Sequence, residues 1–288
     1  MIQAGQEVDV GEIVLHHTAD AYSIDFAPFG RIAWHKWPDA FHLGSVPINL
    51  TPTKHVVFLA LAALLVFLTM KLAGRSLARQ RAGENAPRGF AAAIEGLVLF
   101  VRDDMAIANI GHEGKKFAPL IMTLFFFILY SNLLGLLPWG ATPSGNLAVT
   151  GALAILAFLT IEIGGFLKLG PRGYLRTIFP KMPGMSGAGG VVMSIAMGPI
   201  EILGKLVKPI ALAVRLFGNM TAGHFVVLSL LGIVFLFGNL GVWSYGIAGA
   251  TVVIVVAIML LELFVAFLQA YVFALLTAVF IGLMQHEH

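Results

Sequence analysis

The sequence predicts an all-α integral membrane protein with about five membrane helices. The last two form a long, steeply tilted hairpin, and one further amphipathic helix lies at the interface. Three observations predict this. Of 288 residues, 58% are hydrophobic and only 11% charged, whereas soluble domains carry roughly a quarter charged residues. The apolar residues gather into runs long enough for a bilayer crossing of ~20 residues. The lysines and arginines gather in alternate loops between those runs, the pattern of a protein that holds its basic loops in the cytoplasm. The formal charge of +3 is therefore a topology signal and points to no nucleic-acid partner. With no cysteine, disulfides, thiolate metal sites and cysteine nucleophiles are excluded.

Residues 1–54 are polar and read as an extracytoplasmic N-terminal arm; residues 55–288 read as the helical membrane domain. No cleavable signal peptide is evident, so the first span, near 56–72, serves as the insertion signal. A basic stretch, RSLARQRAGENAPRG (75–89), leads to residues 90–106. There apolar positions at helical spacing carry Glu95, Arg102, Asp103 and Asp104, as expected of an interfacial helix. Spans near 117–137 and 147–166 are joined by the uncharged turn PWGATPSGN (138–146), and the second of them holds Glu162. A second basic loop (168–184) precedes the hairpin of 191–237 and 247–283, whose turn, GNLGVWSYG, carries Trp243 and Tyr245 as interface anchors.

Residues 71–116 hold eight Lys/Arg and 168–181 hold four, while the turns at 138–146 and 238–246 hold none. The arm then lies outside and the C-terminus inside. The hairpin arms are too long to stand upright. At 1.5 Å per residue they would measure ~70 and ~55 Å, against a hydrocarbon core of ~30 Å. They must tilt, bend or begin at the interface, and Gly198-Pro199 and Lys208-Pro209 are candidate kinks. An extra break giving a sixth span is the alternative.

Chemistry concentrates on this hairpin. At 100° per residue, Glu201, Lys205, Lys208, Arg215 and Asn219 share a stripe narrower than about 90°. Glu262 and Gln269 share a face of the following helix. Polar side chains at membrane depth face protein or water, so these stripes mark an interface or an aqueous path. With the turn centred near residue 242, residues whose numbers sum to about 485 share a depth. Arg215 then lies level with Gln269, and His224 with Glu262, in two layers ~13 Å apart. Lys205 and Lys208 are explained by snorkelling, and Glu201 is expected to pair with Lys205 four residues on. No carboxylate of the chain is well placed for Arg215, whose partner is then expected on another chain. A guanidinium does not give up its proton, so Arg215 can hold a carboxylate but cannot relay a proton. No phosphate-binding G-x-x-x-x-G-K-[ST] loop is present. His16, His17, His35, His42 and His55 lack a tight ligand spacing and are expected at the surface, with no metal.

RLFGNMTAGH (215–224), LQAYVF (268–273) and YSNLLGLLP (130–138) resemble subunit a of the bacterial F-type ATP synthases, a likeness covering residues 50–285. That resemblance implies a non-catalytic, proton-translocating stator subunit without cofactors, in a bacterial inner membrane. It implies a tilted hairpin against a ring of c subunits, peripheral-stalk b subunits nearby, and two offset half-channels separated by Arg215. Asn219 and Gln269 match polar positions beside the arginine, and Glu201 and Lys208 match positions toward the cytoplasmic exit. His224 and Glu262 look like an exchanged acid/imidazole pair of the family. A secondary ion or solute transporter is the alternative function. It would show internal repeats, and none is seen.

Overall fold

The computed structural model describes residues 20–26, 30–38, 41–43, 46–48, 51–81, 89–137, 140–180, 187–236 and 241–286. His16, His17, residues 82–88 of the first basic stretch and residues 237–240 of the hairpin turn fall outside them. Two short antiparallel hairpins belong to the arm: β1 (Ser23–Phe26) with β2 (Gly30–Ala33), and β3 (Phe41–Leu43) with β4 (Val46–Ile48). The rest is helical: α1 (Lys54–Arg81), α2 (Phe90–Phe100), α3 (Gly114–Gly135), α4 (Leu147–Ile178), α5 (Ala188–Leu236) and α6 (Val242–His286). Among the described residues, five helical stretches are long and apolar enough to cross a membrane.

Between α2 and α3 the chain stays helical through a π-helical segment, Val101–Ile107, and a turn at Ala108–Ile110. Gly111, at φ 79°, then breaks it. Val101, Met105, Ala106 and Ile110 are buried, and Asp103 and Asp104 are exposed on the opposite face. The amphipathic pattern read from the sequence is therefore used as a packing face.

The loop predicted from residue 168 begins as helix. Gly170 takes φ 67° and ψ 174°, and α4 bends there, then continues to Ile178. Only glycine adopts that backbone without strain, and Pro171 is well suited to open the second leg. In α5 neither Pro199 nor Pro209 breaks the helix, which runs unbroken for 49 residues. No sixth span forms among the described residues. Such a helix, at ~74 Å, far exceeds a ~30 Å hydrocarbon core, so tilting or extension beyond it is required.

The chain divides into two compact units, each built from non-adjacent segments. The first holds residues 1–64, 129–146 and 217–268. Within it Asn132 is wholly buried. Its Nδ2 donates to the Ala266 carbonyl (3.2 Å), and Ser144 Oγ donates to its Oδ1 (2.6 Å). Those bonds fasten the turn after α3 against α6 and account for the asparagine of YSNLLGLLP. The second unit holds residues 65–128, 147–216 and 269–288. Its helices approach through glycines: Gly165 faces Met284, and Gly282 faces the Asn109 carbonyl. Phe125 and Phe126 meet edge to face nearby (5.2 Å), and Ser76 Oγ donates to the buried Glu95 (2.7 Å).

Candidate functional site

Two contacts between α5 and α6 set the register of the polar residues. In the second unit Gln269 Nε2 donates to the Arg215 carbonyl at 3.0 Å. In the first unit the carboxylate of Glu262 rests on Gly223. The expected depths therefore hold within one residue in each unit.

Arg215 and Asn219, one turn apart on α5, are both exposed. Among the described residues no carboxylate pairs with Arg215. Gln269, by contrast, is buried, and its Oε1 has no hydrogen-bond partner among the described residues.

The first unit contains a cavity of about 40 Å³ lined by His55, Thr142, Met220, Thr221 and His224, with Gly140, Ala141 and Gly145. His224 is half-buried. Its Nε2 lies 3.4 Å from Thr142 Oγ1 and its Nδ1 3.2 Å from the Met220 carbonyl. Glu262 contacts the glycine just before the imidazole, and its Oε1 is buried without a hydrogen-bond partner, as is Thr221 Oγ1. The acid and the imidazole thus lie at one depth, Glu262 resting on Gly223 with its carboxylate oxygen unspent. His55, expected at the surface, is buried instead, at 6% exposure. Docking of the arm covers it. His35 is exposed, and the side chain of His42 lies outside the described residues.

The second unit contains a larger cavity, about 100 Å³, lined by Glu162, Glu201, Lys205 and Lys208 among apolar residues of α4, α5 and α6. Here the expected pairing is corrected. Lys205 Nζ turns to Glu162 Oε2 (3.4 Å) and Thr177 Oγ1 (2.9 Å), and lies 4.7 Å above the Tyr174 ring. Tyr174 donates its hydroxyl to the same Glu162 oxygen. Glu162 and Thr177 hold the ammonium from the two legs of α4, while Glu201 lines the same cavity without bonding it. Lys205 is also no snorkelling residue, since its ammonium is held inside the protein. Lys208 is exposed, and its Nζ sits 4.8 Å above the Phe280 ring.

The bend at Gly170 builds this cluster. Twelve residues of straight helix would put Tyr174 ~18 Å from Glu162. The turn at Gly170 brings the second leg back, so Tyr174 and Thr177 reach Glu162 and Lys205. Glu162 was conspicuous in an apolar span, but its partners were not legible there. Thr142 carried no signal beyond its place in a polar turn.

Followed along α5, then, come three ionisable groups lining one cavity (Glu201, Lys205, Lys208), an exposed guanidinium (Arg215), and an imidazole lining another cavity (His224). Fold and site together define the class: a multi-pass helical membrane protein carrying acid/base groups inside its spans. Residues 56–282 match the ATP synthase A chain family. The chain is 43% identical over 281 residues to ATP synthase subunit a 2 of Chlorobaculum tepidum, covering 97% of this chain and 74% of that one. It is 42% identical over 274 residues to ATP synthase subunit a of Chloroherpeton thalassium (95% and 77% covered). With that of Myxococcus xanthus it shares 47% over 248 residues (84% and 76% covered). The chain belongs to the ATP synthase A chain family. The transporter alternative is not favoured by these relatives.

Proposed function

We infer that this chain is the proton-translocating stator subunit in the membrane sector of an F-type ATP synthase, and that Arg215 is its coupling residue. The observation that carries this is the exposed Arg215, which no carboxylate of the described chain approaches. An arginine at membrane depth is costly unless paired. A carboxylate on a rotating ring of c subunits supplies the counter-charge, and the exposed Asn219 one turn on lies on the same side. Arg215 stays protonated throughout, so it attracts an ionised rotor carboxylate but passes no proton itself. A proton entering on one side must therefore board the rotor and travel with it.

The two cavities support the rest of the path. His224 and Glu262 serve the side on which the N-terminal arm lies, outside the cell. Glu201 and Lys208 serve the cytoplasmic side, where the C-terminus and basic loops lie. Gln269 holds the helix at Arg215 by its bond to the backbone carbonyl. Residues 1–54 form the external arm and 55–288 the membrane domain. The chain sits in a bacterial inner membrane, contacts peripheral-stalk b subunits, and performs no catalysis on its own. The deciding experiment is Arg215→Ala in the assembled complex. Loss of ATP-driven proton pumping is expected, and retained pumping overturns the assignment.

A further inference from the structure

The N-terminal arm has no part in the path described so far, yet the first unit fastens it firmly to the start of α1. The Lys54 backbone N–H donates to the Ala21 carbonyl (2.8 Å). Trp34 Nε1 donates to the Pro52 carbonyl (2.7 Å), and the Trp37 N–H donates to Thr51 Oγ1 (2.7 Å). This docking sets Asp20 against His55. Asp20 Oδ1 lies 2.7 Å from His55 Nδ1 and 3.4 Å from the His55 backbone nitrogen.

The two partners differ in surroundings. The Asp20 side chain is 35% exposed and that of His55 only 8%. His55 lines the same 40 Å³ cavity as His224, Thr142 and Thr221. One imidazole therefore stands between a carboxylate that reaches solvent and a cavity that reaches the relay histidine. Four polar side chains, His55, Thr142, Thr221 and His224, line the cavity, which has room for about two waters, enough to bridge two imidazoles. An imidazole with a carboxylate at one ring nitrogen keeps its second nitrogen for passing a proton on.

We propose that Asp20 and His55 are the proton intake of this cavity, the arm being the part of the chain that delivers protons to His224. This rests on the proton-translocating reading above. In each cycle neutral His55 gains one proton from the Asp20 side, becomes imidazolium against the Asp20 carboxylate, and releases one proton into the cavity. Protons and charge balance, and no covalent bond changes. Among the described residues, the charged and titratable groups around His55 are Asp20 from the arm, Lys54 beside it on α1, and His224 of α5 across the cavity. Glu262 of α6 lies beyond it at Gly223.

The test uses the whole ATP synthase reconstituted in vesicles, with proton uptake followed as the arm-side pH is varied. His55→Gln removes the proton carrier and is expected to slow passive uptake severalfold. Asp20→Asn keeps the shape but removes the carboxylate that passes the proton to His55. It is expected to slow uptake severalfold as well, and it decides the matter if His55→Gln fails to assemble. Imidazole added on the arm side is expected to restore uptake to His55→Gly, an effect that repacking alone does not explain. Wild-type uptake with unchanged pH dependence in assembled His55→Gln and Asp20→Asn complexes overturns the intake, while loss of pumping in Arg215→Ala leaves the wider reading standing. Coupled pumping in Arg215→Ala overturns both.

Discussion

Glu262 lies on Gly223 so closely that a β-carbon at residue 223 would stand 2.1 Å from its Oε1. The absence of a side chain there lets the acid settle against α5 directly beside His224. Gly223→Ala is therefore expected to displace the carboxylate while sparing the fold, since the end of a flexible side chain moves easily. ATP-driven pumping should fall severalfold with the amount of assembled complex unchanged. Equal loss of both would assign Gly223 to helix packing alone.

The Lys205–Glu162 pair makes a different demand. Lys205→Met leaves the partly buried Glu162 without its cation, which costs roughly 1–3 kcal/mol, between the values for an exposed and a fully buried pair. Adding Glu162→Gln removes the stranded charge and is expected to recover most of the loss. Thermal dissociation of the detergent-solubilised complex measures both. Additive losses would show that the two residues do not act as a pair.

Gly170 holds a backbone conformation that other residues enter at a cost of about 1–3 kcal/mol. Open space surrounds its missing β-carbon, so the penalty in Gly170→Ala is conformational, not steric. The bend should loosen and withdraw Tyr174 from Glu162. Deuterium uptake across residues 171–178 is expected to rise, and an unchanged exchange rate would count against the bend as the builder of this cluster.

Arm docking should depend on pH. Burial raises the proton affinity of Asp20, but hydrogen bonds from Thr53 and His55, with the charge of His55, outweigh it and hold the carboxyl below its ordinary value of 3.8. A carboxyl that binds its proton less readily when docked stabilises docking above that value. The contribution disappears as pH falls through the lower, docked value. The emission of Trp34 and Trp37 should shift in that acid range. Asp20→Asn should abolish this component, and a transition centred near neutrality would refute it.

The spans and the depth of the polar residues were legible because each rests on a short-range rule. Charges stand out in apolar runs, and a helical hairpin converts distance from its turn into depth. That is why Arg215 aligns with Gln269, and Glu262 with Gly223 beside His224. Glu162 and Lys205 were individually visible, but their pairing depends on a reversal at Gly170 that reads locally as the loop KLGPRG. His55 looked like a surface residue because its burial depends on the arm folding back over it. Prolines 199 and 209 were candidate kinks, with a break as the alternative, and α5 runs through both without one. In lipid an unbroken helix satisfies nearly all of its backbone polar groups internally.

The π-helical segment Val101–Ile107 also has a consequence for what changes this chain tolerates. A π turn holds about one residue more than an α turn, so the segment absorbs an extra residue and keeps the facing of the helix before it. Removing one residue there lets the backbone relax to α geometry with little rotation of Phe90–Phe100. A further residue inserted beside it has no second π turn to absorb it and would rotate Phe90–Phe100 by roughly 100° about its axis. Glu95 would then swing away from Ser76, and Phe100 from the ring of Tyr271 that it stacks on at 6.1 Å. The stretch can lose one residue with local effect, but gaining one would dismantle two interfaces at once.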